Sequence, residues 1–156
     1  MASAYWLSKI RRGLVATINA DATLRTLLGR VSGLCLTWQA LGSAIAATDG
    51  LPVITYYFPG EFDQTDEEGA TWAGVVRFTV WFDGTDALDK AEEAGSALQT
   101  AFNTTALQAQ SGVDVGVGNV WRHLPTEPMV ELSQMDPNRV LARVDLEVDL
   151  NVWVSA

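Results

Sequence analysis

Three carboxylates stand on alternate residues near the end of the chain: Asp145, Glu147 and Asp149. Acids this close do proton-transfer chemistry only beside a partner base, a metal ligand or a nucleophile. His123 is the sole histidine, and no Ser or Cys is placed near it by a recognisable motif, so no triad can be argued. Cys35 is the sole cysteine and lies in the apolar run Gly33-Leu34-Cys35-Leu36-Thr37. It reads as a buried structural thiol, and one cysteine excludes an internal disulfide. Gly112, Gly116 and Gly118 resemble a phosphate-cradling loop only superficially: they alternate with valines, and no Lys-Ser or Lys-Thr follows. The sequence predicts no enzyme, no catalytic residue, no cofactor and no metal site.

A second group of acids, Glu61, Asp63, Asp66, Glu67 and Glu68, falls between Gly60 and Gly69. Their spacing does not follow the Asp-x-Asp-x-Asp-Gly pattern of a calcium loop. The segment 60–70 reads as a mobile acidic hairpin tip, either solvated or ordered by a neighbouring subunit. Six tryptophans is a large share for 156 residues. Trp81 and Trp153 fall on the polar phases of their strands, where aromatic rings supply interface area. Coverage within one subunit is the competing reading. On the interface reading, Trp81→Ala or Trp153→Ala weakens oligomers before it weakens folding, and charge reversal at Asp145, Glu147 or Asp149 leaves the fold intact.

The elements that position these residues are legible as periodicities. From Val140 to Val154 the chain alternates, with Val140, Ala142, Val144, Leu146, Val148, Leu150, Val152 and Val154 on a dry phase. The other phase carries Arg143, Asp145, Glu147, Asp149 and Asn151, which describes a strand in a one-sided antiparallel sheet. Trp72–Phe82 alternates likewise, with Val76, Phe78 and Val80 against Arg77, Thr79 and Trp81. Further strands are expected over Cys35–Gln39, Leu51–Phe58 and Val113–His123. Tyr5, Leu7, Ile10, Leu14 and Ile18 recur at helical steps over residues 4–20, and Asp21 caps a short helix that Gly29 ends. Thr85 or Asp86 caps the main helix, 86–102, where Leu88, Ala91, Gly95, Leu98 and Phe102 form one stripe. Gly95 on that stripe implies close contact with the sheet. Residues 40–50 and 124–138 read as loops, and Asn103-Thr104-Thr105 reads as a helix stop.

The expected fold is therefore α+β, a mainly antiparallel sheet with helices packed on one face, in a single domain over 1–156. N-terminal helices occupy 4–29 and a sheet-and-helix body 34–156. Composition is that of a globule, 48% hydrophobic and 19% charged. A net charge of −9 argues against a grip on nucleic acid, although Lys9, Arg11, Arg12, Arg25 and Arg30 make the N-terminal region locally positive. No run approaches a membrane span, and no secretion signal is visible, so cytoplasm is the default expectation.

Taken together, Leu51–Tyr56, Val75–Phe82 leading into the helix, Arg139–Trp153, and the two helices before the first strand resemble the tail terminator or tail-completion proteins of long-tailed phages and gene transfer agents. The likeness lies in pattern and order, not in a catalytic motif. It implies a virion structural protein forming a ring, usually hexameric, that caps the tail tube and joins it to the head-side connector. DNA would cross the lumen without sequence-specific binding. The implied partners are further copies of the chain, the tube protein and the connector protein, with assembly in host cytoplasm. The acidic phase of the last strand then becomes a lumen wall, a subunit contact or plain solvent. A connector or stopper ring fits the same features. An alternative of another class is a small ligand-binding or enzymatic α+β domain.

Overall fold

The computed structural model describes residues 4–41, 50–102, 104–112, 114–124, 129–130 and 140–154. Most of the loops expected at 40–50 and 124–138 lies outside these residues, and Ala40 closes a 3-10 segment.

Helix α1 (Ala4–Ala20) presents Trp6, Ile10, Leu14 and Ile18, four residues apart, to the core. Asp21 caps α2 (Ala22–Leu28) as expected: its carboxylate accepts the Leu24 amide at 2.8 Å. Gly29 ends that helix in the left-handed conformation, φ 66°. Strand β1 is shorter than expected, Cys35–Thr37, because the chain turns into a 3-10 segment at Trp38–Ala40. Strands β2 (Val53–Tyr57), β3 (Asp63–Gln64) and β4 (Thr71–Asp83) follow.

Helix α3 (Ala87–Ala101) buries Ala87, Ala91, Ala94, Gly95 and Leu98. A Cβ on Gly95 would meet Leu146 Cδ1 at 3.3 Å, so the expected close seat on the sheet is present. Asp86 precedes the helix without a side-chain cap and instead lies 3.4 Å from Lys90. The stop expected at 103–105 is a junction: α4 (Thr104–Ser111) begins there and packs on α1. Strands β5 (Asp114–Leu124), β6 (Met129–Val130) and β7 (Val140–Trp153) complete the described residues. β6 corrects the irregular reading of that loop at two positions.

The sheet runs β1-β2-β4-β7-β5, with β3 beside β4 and β6 beside β7. Among the described residues only the β1–β2 pair is parallel and the other pairs are antiparallel, and the fold is α+β as expected. β4 and β7 pair continuously from Thr71↔Trp153 to Asp83↔Leu141. The helices pack on the face formed by Val76, Phe78, Val80, Val144, Leu146 and Val148, all buried. Burying each such side chain is worth roughly 1.5–3 kcal/mol, so this face dominates stability.

The dry phase of β7 holds through most of its length but fails at its start. Val140 is exposed and Leu141 buried, where the strand pairs with β6.

Candidate functional site

The opposite face of the sheet carries Trp81, Asp145, Glu147, Asp149 and Trp153. No described helix crosses it, yet much of it is dry. Trp81 is 2% exposed, correcting its expected place at an interface. The cause is local packing: its ring lies 6.1 Å from that of Trp38, the Arg143 guanidinium sits 5.7 Å above it, and its indole N–H donates to Thr55 Oγ1 at 3.1 Å. Thr55 and Thr79 beneath it are buried as well.

The acidic ladder of β7 breaks into three different residues. Glu147 is 7% exposed, because Arg77 reaches it directly across the β4–β7 register. Arg77 Nε donates to Glu147 Oε1 at 2.9 Å, Nη2 forms an ion pair with the same oxygen, and Nη1 donates to the Tyr57 hydroxyl at 2.7 Å. That carboxylate raises the Arg77 pKa further above its ordinary value. Asp145 accepts from Thr79 Oγ1 at 2.8 Å and lies 3.8 Å from Arg143 Nε. Only Asp149 remains, half-buried and bordering a shallow basin of about 530 Å³ with Glu61, Asp63 and Asn151. The expectation that any of the three could be charge-reversed without harm to the fold is therefore corrected for Glu147, whose reversal would set two cations together in a nearly dry site.

Trp153 is 45% exposed, as its phase predicted. It lies across β5, where a Cβ on Gly116 would be 2.7 Å from the indole ring. A Cβ on Gly118 would likewise collide with Asp149. Of the glycines that mimic a phosphate loop, Gly116 and Gly118 thus make room for side chains of the neighbouring strand, whereas Gly112 turns the chain at φ 73°.

The acidic segment is a hairpin with its own hydrogen bonds. Asp66 turns inward and accepts the amides of Thr71 at 3.0 Å and Ala70 at 3.3 Å. The Thr71 amide in particular holds this carboxyl below its usual range. Trp72 donates its indole N–H to Gly69 O at 3.0 Å, and Asp63 pairs with Ala73 through β3. Phe62 packs directly on Gly74, where a Cβ would fall 2.5 Å from the ring. Glu61, Glu67 and Glu68 are left exposed.

These three acids border a feature that the sequence reading missed. A groove of about 1050 Å³ lies between α1, the hairpin and the edge of β2, where β1 stops at Thr37. Trp6, Phe62 and Trp72 form one aromatic chain in its wall, with centroids 5.4 and 5.6 Å apart. Phe58 continues it, 5.3 Å from Phe62, and Trp38 stands on the other side against Tyr57 at 5.3 Å. Burial pushes the nearby Tyr56 phenol up. The surplus of tryptophan was the signal in the sequence, but the rings are spread from Trp6 to Trp72 and meet only through the fold.

Cys35 is buried, and burial pushes its thiol far above its ordinary pKa, which suits a structural residue. Among the described residues no cluster of three His, Cys, Asp or Glu is arranged to hold a metal ion, and no helix is long and apolar enough to cross a membrane. No protein-family model matches this chain, and comparison with curated proteins finds no match.

Proposed function

We propose that the chain is a ring-forming subunit of a long-tailed, phage-like particle, a tail terminator that caps the tail tube and meets the head-side connector. The observation that carries this reading is the order of the elements. Two N-terminal helices precede β1 and β2, α3 follows the long β4, and the still longer β7 closes the described sheet. This is the order that the resemblance to tail terminator proteins implies. The helices lie on one face, which leaves the other to meet neighbours.

Two further features support it. A net charge of −9 suits a ring whose lumen lets DNA slide past without holding it. Exposed Trp153, on the sheet face that no described helix crosses, is the kind of aromatic anchor that repeated head-to-tail contacts use.

Light scattering after size exclusion, over a range of concentrations, tests association; a closed ring of about six copies is expected. Negative-stain imaging with tail tubes tests the place of the ring, which should sit on one tube end and stop further growth. A chain that stays monomeric at every concentration and ignores tube ends sinks the proposal. A ring that binds the head-side connector but not the tube would reassign it to the connector class.

A further inference from the structure

We infer that the groove between α1, the acidic hairpin and the β2 edge is a docking site for a basic, apolar peptide segment of a partner protein. This does not rest on the ring reading, because the groove is complete within one chain.

Size and shape favour a peptide. About 1050 Å³ is at the upper end for small-ligand pockets, and the groove opens along the sheet edge beyond Thr37. An extended segment can lie there, which a compact ligand would not fill.

The lining carries three carboxylates against one guanidinium, Arg11, and so still favours a cation. Glu61, Glu67 and Glu68 border the groove, are exposed, and have no ion pair among the described residues. Asp66, by contrast, is spent on its own backbone turn. Of the hairpin's five acids, Asp66 thus builds the loop, Glu61, Glu67 and Glu68 face a visitor, and Asp63 borders the neighbouring basin. Glu61 also borders the basin that contains Asp63 and Asp149, so the negative potential continues around the hairpin.

The rings select the kind of cation. Arg11 already sits 5.8 Å from the Phe58 ring centroid, and Arg77 sits 5.6 Å from that of Tyr57. These aromatic walls hold guanidinium groups within the molecule itself, and Trp38, 37% exposed, offers a further ring surface to an incoming one. Apolar residues between the cations would contact Phe62 and Trp72.

The probe is a short acetylated and amidated peptide alternating Arg with Leu, compared with its Glu–Leu counterpart. The protein carries 5-fluorotryptophan, and fluorine NMR follows each ring. We expect saturable binding of the Arg–Leu peptide, with shifts at Trp6, Trp38 and Trp72 and none at Trp121, which packs against Phe78 and Phe102. Combined Glu61→Gln, Glu67→Gln and Glu68→Gln should weaken binding about tenfold or more. The same loss of charge on α3, through Asp89→Asn, Glu92→Gln and Glu93→Gln, should leave it unchanged. Equal weakening by both sets would reduce the effect to net charge and overturn the proposal. So would binding of the Glu–Leu peptide, or shifts confined to Trp121 and Trp153. If the peptide does not bind while the hairpin substitutions alter self-association, the occupant is a second copy of this chain and the inference fails.

Discussion

The two acidic regions of this protein look alike in sequence and differ in almost every physical respect. On β7 the carboxylates alternate, and cross-strand neighbours on β4 engage two of the three: Arg77 pairs with Glu147, and the Thr79 hydroxyl donates to Asp145. In the hairpin only Asp66 is used internally, and Glu61, Glu67 and Glu68 face a groove. A run of acids therefore says little about partners until the opposite strand is known. The ladder is mostly internal structure, and the hairpin is the region equipped to meet something else.

Substitutions should separate the two regions, the largest effect lying on the sheet. Trp81→Ala removes a buried ring together with its indole hydrogen bond, and should cost about 3–5 kcal/mol in denaturant titration. Trp153→Ala should cost under about 1 kcal/mol. Equal effects would return Trp81 to the surface.

Next comes Glu147→Gln, which leaves Arg77 without its counter-charge in a half-buried site. We expect a loss of about 2 kcal/mol, or roughly 4–8 °C in Tm. An unchanged Tm would mean that solvent already screens the pair.

Gly74→Val attacks the seat of the hairpin, since its side chain cannot coexist with Phe62. Overpacking of this kind costs about 1–3 kcal/mol, and here the ring can swing away instead. The expected signature is a changed tryptophan environment at Trp6 and Trp72, with a smaller loss of stability than Glu147→Gln. Glu67→Gln with Glu68→Gln should move stability by less than about 0.5 kcal/mol. A larger loss would make those acids structural and erase the contrast with β7.

The most local effect is that of pH. The folded Asp66 carboxyl lies below its ordinary value, so its contribution is complete above the unfolded pKa of about 4 and is lost as pH falls through the folded one. The Thr71 amide proton shift should titrate with that depressed value. A midpoint at or above about 4 would detach Asp66 from the turn.

Much of the fold is legible from periodicity alone. The alternation in β4 and β7, the α1 stripe, the Asp21 cap and the place of Gly95 on its helix stripe are each set by residues close in sequence. What is not legible depends on pairing across the chain. Arg77 and Glu147 are 70 positions apart, and nothing in either strand says that one will neutralise the other. Trp81 shares a polar phase with Arg77 and Thr79, and only the arrival of Trp38 and Arg143 makes it dry. Helix α4 escaped notice because Thr, Gln and Ala dominate it, leaving Leu107 almost alone as an apolar marker. The groove was out of reach for the same reason as the Arg77 pair: its walls come from α1, the 3-10 segment, β2 and the hairpin.

Register on β5 slips between Val117 and Trp121, so this border strand is not a regular row of donors and acceptors. At the opposite border β1 offers three residues before the chain coils away. Long, even borders invite foreign strands to add on and sheets to grow into fibrils. Among the described residues both margins are ragged, and lateral growth by strand addition is disfavoured at each. On the proposed ring reading, copies would meet through faces and loops, the kind of contact that fixes an angle and lets an assembly close.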